Sequence, residues 1–156
     1  VPASTAYFTA RIESLLAFGD EMAKASQNGE MSRAVASYVN FLRAKEAAGL
    51  ERATGAGGLS SGKFDLPAYT RMLSLAAAQD TYLAAFRRAA TLGQNEFLIK
   101  STFGPITDDV MKMRNTVIAG GLSGEFNGLA AKTWFAATTA AVAPVVTAAP
   151  APGARR

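Results

Sequence analysis

The chain has 156 residues, 49% hydrophobic and 18% charged, a composition that folds into one globular domain rather than staying disordered. It has no His and no Cys, which excludes His/Cys zinc sites, His- or Cys-held haem, Ser-His-Asp and Cys-His catalysis, thiol redox chemistry and disulfides. The net charge is +4, with Arg155 and Arg156 at the very end; no dense Lys/Arg stripe alternates with aromatics, so no nucleic-acid partner is expected.

Alanine fills 33 positions and is the best helix former while being depleted from strands. The start, VPASTAYF, lacks the basic and apolar regions of a signal peptide. A first helix is predicted from about Ser4 to Ser26, with Ser4 or Thr5 as N-cap and Phe8, Ile12, Leu15, Phe18 or Gly19, and Met22 on one face. Gln27-Asn28-Gly29 reads as a turn, and a second helix runs from Glu30 to about Thr54, where glycines begin. Asp65 is a good N-cap for a third helix, with Pro67 tolerated in its first turn. Gly93 closes that segment near Thr91, and residues 96–101 read as a short connector or helical turn.

A further helix is predicted from Ile106 to Ala119, then a Gly-rich loop over 122–128, then a last helix from about Leu129 carrying Trp134, Phe135, Val142 and Val145. Pro144 should end or kink it. The uncharged stretch Thr133–Ala154 is long enough to span a membrane, but its alanines, threonines and prolines suit a buried helix running into a Pro/Ala tail over 147–156. No strand pattern is evident. The expected fold is all-α, an antiparallel bundle of about four long helices with Gly-rich interhelical loops over 1–146. Phe8, Ile12, Leu15, Leu42, Leu73, Leu83, Phe86 and Trp134 are expected in one buried cluster.

The segment Gly57–Lys63 matches GxxxxGK, yet a helix precedes it and Phe64 follows the lysine, so a mobile interhelical loop over Gly55–Lys63 that binds no nucleotide is expected. Asp20-Glu21 and Asp108-Asp109 are adjacent pairs, and neighbours on a helix point about 100° apart. They read as solvated faces or, for the second, as first-turn charges suited to the helix dipole. With no convincing carboxylate site, catalysis is not expected, nor is a metal or cofactor.

The second helix is more informative. Tyr38, Leu42, Lys45, Gly49 and Arg52 share one face, which stacks Lys45 and Arg52 about 10 Å apart along the axis. Gly49 between them costs about 1 kcal/mol relative to alanine, a cost that close approach of a helix or a small ligand would explain. Two cations flanking a glycine suit a small anion, and the planar fork of Arg suits an oxyanion. The same cations can equally snorkel or pair with Glu46 or Glu51. Gln79, inside the apolar face of the third helix, needs a hydrogen-bond partner if buried.

The run YVNFLRAKEAAGLERA, the glycines after it, and Phe64, Tyr69, Gln79, Tyr82 and Phe86 at their spacing resemble the nitrate- and nitrite-sensing (NIT) domain family. Trp134-Phe135 with Thr138 resembles the start of that family's last helix. The resemblance covers roughly Tyr7 to Val142 and is to the C-terminal half of the family domain. It implies an all-helical sensor with arginines brought to the anion from both halves, serving chemoreceptors, kinases and related bacterial signalling proteins. Carried over residue by residue, it implies Arg52 and Lys45 as anion ligands, with Arg114 a further candidate placed by its helix. It also implies an output signalling domain, a possible homodimer, and an extracytoplasmic or, alternatively, cytoplasmic position. The other expectation is a helical interaction or dimerisation module that no longer binds ligand.

Overall fold

The structure, a computed structural model, describes the backbone of residues 2–102 and 104–147, and the side chains within 6–102 and 104–142. Among these residues every regular element is a helix: α1 (Pro2–Ala25), α2 (Gly29–Ser61), α3 (Leu66–Ala89), α4 (Leu92–Thr102), α5 (Pro105–Gly120) and α6 (Ala131–Thr147). The all-α class holds, but there are six helices where about four long ones were expected. None of the described helices is long and apolar enough to cross a membrane.

Local chemistry sets most of the helix boundaries. Asn28 caps α2, its side chain accepting from the amides of Glu30 (2.9 Å) and Met31 (3.2 Å). Asp65 caps α3 as expected, accepting from the Ala68 amide at 2.8 Å. The helix α4 replaces the connector expected near 96–101. Its start is a reciprocal capping box: the Gln94 amide donates to the Thr91 hydroxyl (3.3 Å), and the Thr91 amide donates to the Gln94 side chain (2.8 Å). The α1 helix begins at Pro2, two or three residues before the expected cap; the Ser4 and Thr5 side chains lie outside the described residues. At the other end α6 runs past Pro144 to Thr147, so the proline does not end it. The Val145 side chain and the tail beyond Thr147 lie outside the described residues.

The largest departure is α2. It does not stop at Thr54 but continues through Gly55, Gly57 and Gly58 to Ser61, and Gly62 closes it in the left-handed conformation (φ 79°). The mobile loop expected over Gly55–Lys63 is therefore mostly helix. Tertiary packing overrides the poor helix propensity of glycine here. A Cβ on Gly55 would stand 2.5 Å from the Trp134 indole nitrogen, and one on Gly58 would enter the Phe64 ring. The glycines let two aromatic side chains lie flat on bare backbone.

The core is two clusters rather than one. Phe64, Met72, Val117, Phe126 and Trp134 pack where α2, α3, α5, α6 and the 121–130 loop meet. Phe41, Phe86 and Leu98, with Leu42 and Leu83 against them, form a second cluster. Of the eight expected core residues, Phe86 and Trp134 are buried, and Ile12, Leu42 and Leu83 are half-buried. Phe8, Leu15 and Leu73 are exposed. The first two lie on α1, which packs mainly on α2 and buries a different stripe, Leu16 and Ala23. Asp20, read as part of a solvated face, instead takes both ends of the Arg43 guanidinium on α2.

Candidate functional site

A cavity of about 350 Å³ lies among α2, α3, α4, α5 and α6. Its apolar walls include Phe41, Leu83, Leu98, Val110 and Met111, and its charged lining sets Lys45, Arg87 and Arg114 against Glu51, Asp80 and Asp108, with Gln79 and Thr138 among the neutral polar groups. An apolar enclosure with a few converging polar groups is the usual build of a small-molecule site.

One end of the cavity is held by a buried ionic network. Arg114 on α5 donates Nε–H to Glu51 Oε1 (2.5 Å) and Nη2–H to Glu51 Oε2 (2.6 Å). Nη2 also donates to Gln79 Oε1 at 3.0 Å. The Gln79 amide donates to Glu51 Oε2 (2.6 Å) and to the Leu75 carbonyl (3.1 Å). The Glu51 side chain is 3% exposed and that of Arg114 14%, so the pair is held largely out of water. A pair this buried persists because its lone pairs and protons are satisfied. The network ties α2, α3 and α5 together, and Gln79 has the partner that its place on an apolar face required.

The four candidate residues fall in three places. Lys45 and Arg114 both line the cavity. Arg52 does not line it. Its guanidinium lies 4.8 Å over the Phe135 ring of α6 and donates Nη1–H to the Thr139 hydroxyl at 3.0 Å. Its Nε is buried without a hydrogen-bond partner. Thr139 is the neighbour of Thr138, which does line the cavity, so Arg52 sits at the α2–α6 seam beside it. Gly49 meets nothing: a Cβ placed there would have no atom within 4 Å. The expectation that Gly49 makes room for a neighbouring helix is corrected; the close approaches occur at Gly55 and Gly58 instead. The single cleft expected around Lys45, Gly49 and Arg52 is thus divided.

Sequence reasoning missed Glu51 as the partner of Arg114. It placed Glu51 beside Lys45 and Arg52 as a surface pairing, whereas its turn of α2 faces inward, with Ala44, Ala47 and Gly55 buried on the same helix. The available signal was the phase of the small residues: Ala44, Ala47, Ala48, Gly55 and Gly58 mark the inward side of α2, and Glu51 falls among them.

The chain is thus a helical bundle around a partly polar cavity. The sequence model of the family described as nitrate and nitrite sensing matches residues 1–144. The chain belongs to this NIT family, a family of sensory rather than catalytic domains. No curated protein and no solved structure matches the chain.

Proposed function

We propose that the domain senses nitrate or nitrite within a bacterial signal-transduction protein, and that the anion is held by Lys45 and Arg114 in the cavity with Arg52 at its α6 edge. The observation that carries this reading is the family match across residues 1–144. The side chains are chemically suited to it. Lys45 is a cation on the cavity wall, and Arg114 keeps its Nη1 edge outside the Glu51 fork, against only the Met111 sulfur at 3.5 Å. Arg52 has a buried Nε with no hydrogen-bond partner among the described residues. Gly49, on the same face of α2, leaves open space beside these cations.

Nitrate is planar and trigonal, so it presents to a guanidinium the same paired oxygens as a carboxylate. It can therefore compete with Glu51 for Arg114. Weakening the Arg114–Glu51 bond frees α5 from α2 and α3, a differential contact of the kind that shifts a helical bundle between two packings. That shift is the signal passed to an output domain, and the fitting place for the sensing domain itself is the extracytoplasmic region of a membrane receptor. A second reading is favoured by one observation: both oxygens of Glu51 already take the Nε–Nη2 edge of Arg114. It is a bundle that has kept the network as structure and mediates assembly without ligand.

Calorimetric titration with sodium nitrate and sodium nitrite, against sodium chloride, separates the two. Wild type binds at least one of the two anions. Arg114→Lys and Arg52→Lys, which keep charge but lose the fork, each weaken that binding about tenfold or more. No heat from either anion supports the ligand-free module. Binding unchanged in both variants removes these arginines from the site.

A further inference from the structure

The cavity is larger than an inorganic anion needs. Its volume of about 350 Å³ corresponds to roughly a dozen waters at about 30 Å³ each, and nitrate, with about four non-hydrogen atoms, takes the place of about a third of them. Apolar side chains from all five surrounding helices face the remainder: Phe41 of α2, Leu83 of α3, Leu98 of α4, Val110 of α5 and Val142 of α6. A ligand with an apolar body gains from burial against them, and nitrate has no such body.

The charges of the lining are balanced. Lys45, Arg87 and Arg114 stand with Glu51, Asp80 and Asp108. Glu51 and Arg114 answer each other. Lys45, Asp80, Arg87 and Asp108 belong to none of the other ion pairs among the described residues. An anion at Lys45 and Arg114 leaves the two aspartates unanswered, whereas a ligand carrying both charges is complementary to cations and carboxylates alike. The course of α5 sets the spacing. Arg114 Nη1 lies 3.5 Å from the Met111 sulfur, one turn earlier on the helix, so the guanidinium edge that Glu51 leaves free points back along α5. Asp108 lies one turn further in that direction and lines the cavity too. The backbone positions of Asp108 and Arg114 are about 9 Å apart along the axis, and the Arg114 side chain closes part of that distance.

We propose that the cavity binds a zwitterionic α-amino acid with an apolar side chain. Lys45 and the Nη1 edge of Arg114 hold its carboxylate, which rests on the anion site proposed above. Asp108 takes its ammonium group, and its side chain lies against Phe41, Leu83 and Leu98. Leucine and phenylalanine, with roughly nine and twelve non-hydrogen atoms, match the volume. A monocarboxylate of the same shape leaves Asp108 unanswered, and an amine of the same shape leaves Lys45 unanswered.

Calorimetric titration with L-leucine and L-phenylalanine tests this. Isocaproate and hydrocinnamate serve as the analogues lacking the amine, isoamylamine and phenethylamine as those lacking the carboxylate, and glycine as the one lacking the apolar side chain. At least one of the two amino acids should bind, at least about tenfold more tightly than its own analogues and than glycine. Asp108→Asn should remove the advantage over the carboxylate analogue while leaving the affinity for that analogue unchanged. Asp108 is exposed, and far-ultraviolet circular dichroism checks that the variant folds. Lys45→Met should weaken binding of the amino acid at least about tenfold. No heat from either amino acid, equal affinity for an amino acid and its carboxylate analogue, or unchanged amino-acid binding in either variant would overturn the inference. A parallel titration with sodium nitrate keeps the two readings apart. Nitrate bound without either amino acid retains the nitrate site and removes the amino acid, and an amino acid bound without nitrate does the reverse.

Discussion

Toward its C-terminus α2 meets its neighbours through bare backbone, with Trp134 on Gly55 and Phe64 on Gly58. One to four turns earlier the same helix presents Phe41, Ala44, Lys45, Ala48 and Glu51 to an open cavity. At the glycine end the contacts are apolar and close. At the cavity end a hydrogen-bonded ion pair holds α5 across a space that no side chain fills. Dispersion and apolar burial stabilise the first without any choice of partner. The second depends on a carboxylate keeping a guanidinium, and another anion can contest that bond. One continuous helix thus joins a closely packed end to an end held across an open cavity by an ion pair.

The largest expected effect tests the closely packed end. Trp134 is fully buried, and its indole N–H donates to the Arg52 carbonyl at 2.9 Å. Trp134→Ala removes the ring that Gly55 was shaped to receive and should cost about 3–5 kcal/mol. Thermal denaturation followed by calorimetry checks it. A loss below about 1 kcal/mol would mean that the glycine end is not closely packed.

The next effect tests the network. Glu51→Ala leaves Arg114 buried and unpaired and should cost about 3 kcal/mol. Replacing both residues, as Glu51→Leu with Arg114→Met, should recover much of that loss, because a buried pair contributes little net stability over apolar substitutes. Urea denaturation of the two single variants and the double variant gives the coupling directly. Equal costs for the double and the summed singles would show that Glu51 and Arg114 act independently, and the contrast between the two regions would weaken.

How far this division could be read from the sequence depends on whether the cause was local. The helices and the Asp65 cap were legible because alanine content, apolar spacing and capping side chains act within a few residues. Gln79 could be singled out because one polar residue in an apolar face needs a partner. The course of α2 through three glycines was not legible, since propensity alone argues against it and only Trp134 and Phe64, supplied from elsewhere in the chain, make it favourable. Nor was the Arg114–Glu51 bond, which joins residues 63 apart in sequence. On α1 the apolar spacing was legible but ambiguous. Phe8 and Leu15 have the periodicity of core residues, and periodicity alone does not say which face packs. The candidate anion residues were legible as a helical face, yet Lys45 and Arg52 straddle the edge where α6 docks, and that edge separates them.

The finest test of the comparison sets two glycines of one helix against each other. Gly58 lies under the Phe64 ring, so Gly58→Ala must displace that ring and, despite the better helix propensity of alanine, should cost about 1–2 kcal/mol. Gly49 has open space where a Cβ would go. Gly49→Ala therefore gains helix propensity without a clash and should stabilise the domain by about 0.5–1 kcal/mol. The two variants make the same chemical change nine residues apart, so the opposite signs report packing alone. Melting temperatures of the two variants against wild type decide it. If Gly49→Ala lowers stability as Gly58→Ala does, something occupies the space beside Gly49 in solution, and α2 is closely packed on that face too. If it raises stability while abolishing nitrate binding, the glycine is kept for the anion, and the helix has retained a weak position beside Lys45 for the sake of its ligand.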